Sequence, residues 1–141
     1  MDPLRIALIS PVWFPVPPTG YGGIEWIVWL LADGLVEAGH DVTLFASGDS
    51  RTKAKLAYVY ERAPSALIGT SIVEIHHCLA CFERADEFDV INDHSGLPAA
   101  AIGGAVSTPT SNGSTRCARA WATCSGAGSS CPSGSTPSST R

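Results

Sequence analysis

The sequence has no cluster of basic residues, no long uninterrupted apolar run and no Gly-Lys-Ser or Gly-Lys-Thr element. Charged residues make up only 16% of the 141, and the formal net charge is −4. A surface without concentrated Lys or Arg cannot neutralise a row of phosphates, so neither nucleic acid nor an anionic membrane is an expected partner. The most apolar stretch, 24–36, is broken by Glu25, Asp33 and Gly34, too short and too polar for an integral membrane segment. Met1-Asp2-Pro3-Leu4-Arg5 shows no charged leader with an extended apolar region and cleavage site. No signal peptide is therefore expected, and the expected location is cytoplasmic. Without Gly-Lys-Ser/Thr, a P-loop nucleotidase is excluded.

A second scarcity is local. From Thr110 to Arg141 there is no Asp, Glu, Lys, Leu, Ile, Val, Phe, Met or Tyr. All 13 acidic residues precede that point. Ser, Thr, Gly and Ala fill most of the segment, punctuated by Cys117, Cys124 and Cys131. One Trp and no aliphatic side chain beyond alanine cannot bury enough surface to offset ordering entropy. Residues 1–109 are thus expected to form one partial domain and 110–141 a low-complexity, disordered tail. The abrupt change of composition is what an out-of-frame reading of G+C-rich DNA would produce. The three tail cysteines are expected to be free thiols.

What is present before Thr110 alternates strand and helix. Leu4 to Ile9 reads as a strand buried on both faces, and Pro11 to Thr19 as an extended Pro-rich loop. Helix follows over 23–38, with Ile24, Ile27, Val28, Leu31 and Leu35 at helical spacing and Gly39 closing it. Strands are expected over 42–46, 55–60 and 89–92. A second helix is expected over 71–88 with Ile72, Ile75, Leu79 and Phe82 on its apolar stripe, and a short one over 97–106. Ser107-Thr108-Pro109 reads as the run-in to a further strand that does not arrive. The alternation implies an α/β, Rossmann-like, doubly wound parallel sheet.

Gly20-Tyr21-Gly22-Gly23-Ile24-Glu25 feeds the first helix. A glycine turn at a helix N-terminus offers free N–H groups and the positive end of the helix dipole to an anion. The dinucleotide fingerprint would need glycine at position 25, which is Glu25, and the turn begins some ten residues after the strand. Local features alone leave a phosphate contact and a plain tight turn equally open.

Ile6-Ala7-Leu8-Ile9-Ser10-Pro11, Pro17-Pro18-Thr19-Gly20-Tyr21-Gly22-Gly23-Ile24-Glu25, Leu31-Ala32-Asp33-Gly34-Leu35 and Gly39-His40-Asp41-Val42-Thr43-Leu44-Phe45-Ala46-Ser47-Gly48-Asp49, in this order and spacing, resemble the acceptor-side domain of family 4 glycosyltransferases. Asp89-Val90-Ile91-Asn92-Asp93-His94-Ser95 resembles that family's strand and H-x-H loop, with Asn92 where a histidine is common. The resemblance runs from Leu4 to about Pro109. It implies the incomplete N-terminal half of a GT-B fold, and transfer of a hexosyl group, with retention, from a nucleotide-diphosphate sugar donor to a hydroxyl acceptor. It places Gly22 and Gly23 near the donor phosphates; the rule that ligands gather at the carboxyl ends of parallel strands puts Asp49, Asp93 and His94 on the acceptor or cleft edge, with Glu25 of the first helical turn a further candidate there. No cofactor or metal is implied, because backbone N–H groups can stabilise a departing diphosphate. The family's Thr-x-His-Gly element and donor-gripping second domain have no counterpart in these residues, so the isolated chain is expected to be inactive. A non-catalytic sugar- or nucleotide-binding module and a non-functional fragment remain the alternatives.

His76-His77-Cys78-x-x-Cys81 has the look of a metal motif, yet it lies in an apolar helical stripe where cysteine is usually a small core residue. His40, at the helix-to-strand turn, is expected to be structural.

Overall fold

The computed structural model describes residues 2–96 and the two-residue strand Ala122–Thr123. The elements are β1 (Arg5–Ile9), α1 (Gly23–Glu37), β2 (Asp41–Phe45), β3 (Lys55–Ala57), α2 (Ser71–Phe82), β4 (Val90–Asp93) and β5 (Ala122–Thr123), with single 3-10 turns at Ser65–Leu67 and Ala85–Glu87. All pairings are parallel and the strand order is β3-β2-β1-β4-β5. The chain therefore winds outward from β1 to β3, then crosses back to β4 on the other side of β1.

Alternation along β1 divides the core in two. Ile6 and Leu8, with Val42 and Leu44 of β2, face α1 through Val28 and Ala32. Ala7 and Ile9, with Phe45 and Ile91, face α2 through Cys78, Cys81 and Phe82. Successive strand residues point to opposite faces, so a strand covered on both sides must be apolar throughout. The α/β doubly wound arrangement expected from the sequence is present over this region.

α2 turns a different face to the sheet than its apolar spacing predicts, whereas in α1 the expected stripe is met in part: Val28 is buried and Leu31 and Leu35 pack against the core. In α1 the fully buried positions are Glu25, Val28 and Ala32, while Ile24 and Ile27 are exposed. The helix is apolar on more than one flank, so periodicity fixes its phase only in part. The small side chains of Val28 and Ala32 allow the closest approach to the sheet. In α2 Val73, His77, Cys78, Cys81 and Phe82 are buried, and Ile72 is 73% exposed, with Ile75 and Leu79 also exposed. The imidazole of His77 fixes that rotation by bonding the Ser10 carbonyl, Nε2 to O 3.0 Å.

Boundaries differ as well. α2 stops at Phe82, not Phe88, and Arg84 then lies over the rings of Phe45 and Phe88 at 5.6 and 5.8 Å. β3 ends at Ala57 because its ladder with β2 ends at Phe45. A strand does arrive after β4: Ala122–Thr123 pairs with Asn92 and Asp93. The helix expected over 97–106 and, apart from β5, the tail from residue 110 lie outside the described residues. The Pro-rich loop is packed, with Val12 and Val16 buried. Val16 N–H donates to Ser50 Oγ at 2.9 Å, and Arg51 N–H donates to the Val16 carbonyl at 2.6 Å.

α1 closes with a paired C-terminal motif. His40 N–H reaches the Leu35 carbonyl (3.1 Å), Gly39 N–H the Val36 carbonyl (3.0 Å), and Gly39 sits at φ +92°. His40 then accepts the Leu4 N–H through Nδ1 (3.2 Å), the structural role expected of it.

Candidate functional site

Reversal of winding between β1 and β4 leaves a crevice beyond their carboxyl ends, the place where open parallel sheets bind ligands. A cleft of about 280 Å³ occupies it, lined by Pro11, Trp13, Phe14, Tyr21, Gly22, Gly23, Ile24, Glu25, Ile68, His94 and Ser95. The β1–α1 loop supplies one wall and the loop after β4 the other.

Gly22 is the N-cap of α1, at φ +144°. A Cβ there would stand 2.8 Å from Pro18 Cβ and Cγ and 2.9 Å from Glu25 Oε2. Glycine is thus required twice, by conformation and by space. At Gly23 a Cβ would meet nothing within 4 Å, so the backbone at the first helical position is approachable from the cleft. Trp26 N–H already donates to the Gly22 carbonyl at 3.1 Å, closing the first turn.

Glu25 is the third residue of α1 and only 5% exposed. No lysine or arginine lines the cleft with it. Burial pushes its carboxyl above the usual range, while a hydrogen bond to its own backbone N–H pulls the other way. The opposing wall carries His94. Its N–H donates to the Ile9 carbonyl at 2.9 Å, and its ring Nε2 is buried without a hydrogen-bond partner among the described residues. Burial lowers the imidazole pKa more than the neighbouring Asp93 raises it, so the ring is neutral at pH 7.

Of the six residues expected at the site, the structure brings four together: Gly22, Gly23, Glu25 and His94. Asp49 is exposed on the β2–β3 loop, accepts the Ala63 N–H at 3.3 Å, and stands outside the cleft lining. Asp93 is buried beneath the loop rather than in the cleft. Its Oδ1 accepts the N–H (2.8 Å) and hydroxyl (2.6 Å) of Ser95, which holds the His94 loop in shape.

Sequence reasoning missed the aromatic wall. Trp13 is buried and donates Nε1–H to Glu74 Oε1 at 3.0 Å, tying the wall to α2. Phe14 meets Tyr21 edge-on at 6.0 Å. Their position immediately after β1, at the switch point, was the available signal.

The His-His-Cys-x-x-Cys run is dispersed. His76 meets the Tyr60 hydroxyl at 3.2 Å, His77 the Ser10 carbonyl, and Cys78 the Ser95 hydroxyl at 3.2 Å. Burial pushes the Cys78 thiol up to about 11 and Cys81 higher still, which keeps both as core thiols. Among the described residues no group of three or more His, Cys, Asp or Glu side chains could hold a metal ion. Among them, too, no helix is long and apolar enough to cross a membrane.

The fold and crevice define an α/β parallel-sheet protein of Rossmann-like type. No protein-family model matches the chain, and no curated protein matches it.

Proposed function

We propose that this chain forms the acceptor-side wall of a retaining, GT-B-type glycosyltransferase cleft that takes a nucleotide-diphosphate hexose and a hydroxyl acceptor. The supporting observation is the meeting of the Gly22–Gly23 turn and His94 across one cleft at the β1/β4 switch point. These segments, far apart in sequence, are two of the five that carry the family resemblance. In this reading the open backbone at Gly23 faces the donor phosphates. Neutral His94 and the Glu25 carboxyl hydrogen-bond hydroxyls, and Trp13, Phe14 and Tyr21 cover the C–H face of a sugar ring. Hexosyl transfer needs a second wall to grip the donor, so this half binds without turning over by itself. Its buried thiols, neutral and unpaired, suit a cytoplasmic setting.

Calorimetric titration of the full chain with nucleoside diphosphates and their hexosides tests the reading. Saturable heat that is lost in Gly22→Ala supports it. No heat up to millimolar ligand contradicts it. Binding of the free sugar with indifference to the diphosphate would instead favour a sugar-binding module, the reading the aromatic wall supports.

A further inference from the structure

The mouth of the cleft is aliphatic. Ile24, in the first turn of α1, and Ile68, just ahead of α2, both line it, yet the two residues stay 49% and 59% exposed. Each is accompanied in its own segment by further exposed aliphatic residues: Ile27 one turn along α1, and Leu67 and Ile72 on either side of Ile68. Large aliphatic side chains left in water beside a crevice favour a ligand that covers them.

The interior is one-sided in charge. No lysine or arginine lines the cleft, and its one acidic residue is Glu25. An anionic group entering beside that carboxylate and a donor diphosphate meets no cation to offset the repulsion. The polar atom left for an uncharged ligand is on His94, whose Nε2 is buried with no hydrogen-bond partner among the described residues. The neighbouring Ser95 hydroxyl is already engaged by Asp93 and Cys78. A hydroxyl satisfies the His94 nitrogen in either tautomer, whereas a carboxylate, which only accepts, does so in one.

On the acceptor-side reading, on which this assignment rests, we propose that the acceptor is an uncharged alcohol with an aliphatic body, its hydroxyl at His94 and its chain leaving over Ile24 and Ile68. Transfer to it joins the hydroxyl oxygen to the anomeric carbon as the bond from that carbon to the diphosphate oxygen breaks. The hydroxyl proton leaves with the diphosphate.

The full chain is titrated by NMR at pH 7 with n-butanol, n-hexanol and n-octanol, following the amides of Ile24, Ile68 and His94. Octanoate serves as the charged molecule of matched length. Affinity should rise about threefold with each methylene added, as each leaves water. Octanoate should bind at least about tenfold more weakly than n-octanol. Ile24→Ser combined with Ile68→Ser should flatten the rise. Ile75→Ser, at an exposed position outside the cleft lining, should leave it intact.

Equal affinity for n-butanol and n-octanol, or a rise that persists in the doubly substituted chain, overturns the aliphatic class. Octanoate binding as tightly as n-octanol overturns the uncharged one. Shifts at Ile24 and Ile68 that grow with protein concentration alone give the mouth to a second copy and overturn the proposal as well. In each case a nucleotide-diphosphate hexose that still shifts Gly22 and Gly23 leaves the transferase reading standing. Alcohol binding with no such donor shift overturns that reading, and the acceptor role with it. The wild-type series stands even if a variant fails to fold.

Discussion

Gly22 and Gly23 are adjacent but make different demands. Gly22 combines φ +144° with Pro18 and Glu25 packed where a Cβ would go, so Gly22→Ala should cost about 1–3 kcal/mol in denaturant unfolding. Gly23 opens onto space at the first turn of α1, and Gly23→Ala should be neutral or stabilising by up to about 1 kcal/mol. A reversed ranking would mean the turn is built differently. Glu25 adds a pH signature. Its carboxyl is held above the usual range in the folded chain, so the folded state binds more protons than the unfolded one there. Stability should accordingly be lost as pH rises through the folded pKa, and Glu25→Gln should raise Tm at pH 8 but not at pH 4. His77 and His94 act with the opposite sign, since burial depresses both. Their contribution is full above the ordinary histidine range and is lost as pH falls through their folded values. His77→Gln should therefore weaken the loss of stability seen below about pH 6.5.

The two helices show what spacing can and cannot convey. α1 and α2 were legible as helices, and Gly39 as the end of α1, because capping and periodicity are local. Their orientation was legible only in part, because each carries apolar residues on more than one side: Val28, Leu31 and Leu35 of α1 do face the core, whereas Ile72, Ile75 and Leu79 of α2 do not. The selecting features, Ala32 beneath α1 and His77 bonded to the Ser10 carbonyl, act only once the sheet exists. The consequence is measurable on α2. Phe82→Ala should cost about 3–5 kcal/mol as a core truncation, whereas Ile72→Ser should stay within about 0.5 kcal/mol. Comparable losses at both positions would mean that α2 presents its Ile72 face to a partner surface. At the strand ends, Asp89 is held down to about 2 by the Arg5 guanidinium and backbone N–H, which clasp β4 to β1 at their start. That clasp loosens only as pH falls toward 2.

At the scale of the whole molecule, the parallel order β3-β2-β1-β4-β5 places two distant loops at one crevice. Four of the six site residues followed from motif order plus the rule that ligands gather at strand carboxyl ends. Asp49 and Asp93 satisfied the same rule and still fall outside the cleft, one on a neighbouring loop and the other turned inward to brace Ser95. The aromatic wall escaped notice because Trp13 and Phe14 belong to no motif and become neighbours of His94 only through the β1–β4 pairing. The central claim is that this crevice is a glycosyltransferase half-site. It is tested most directly by mapping the amide shifts of the full chain on titration with nucleotide-diphosphate hexoses at pH 6. Saturable shifts at Gly22, Gly23, Glu25 and His94, with Asp49 unmoved, are the predicted result; no shift at those four amides up to millimolar ligand would contradict it.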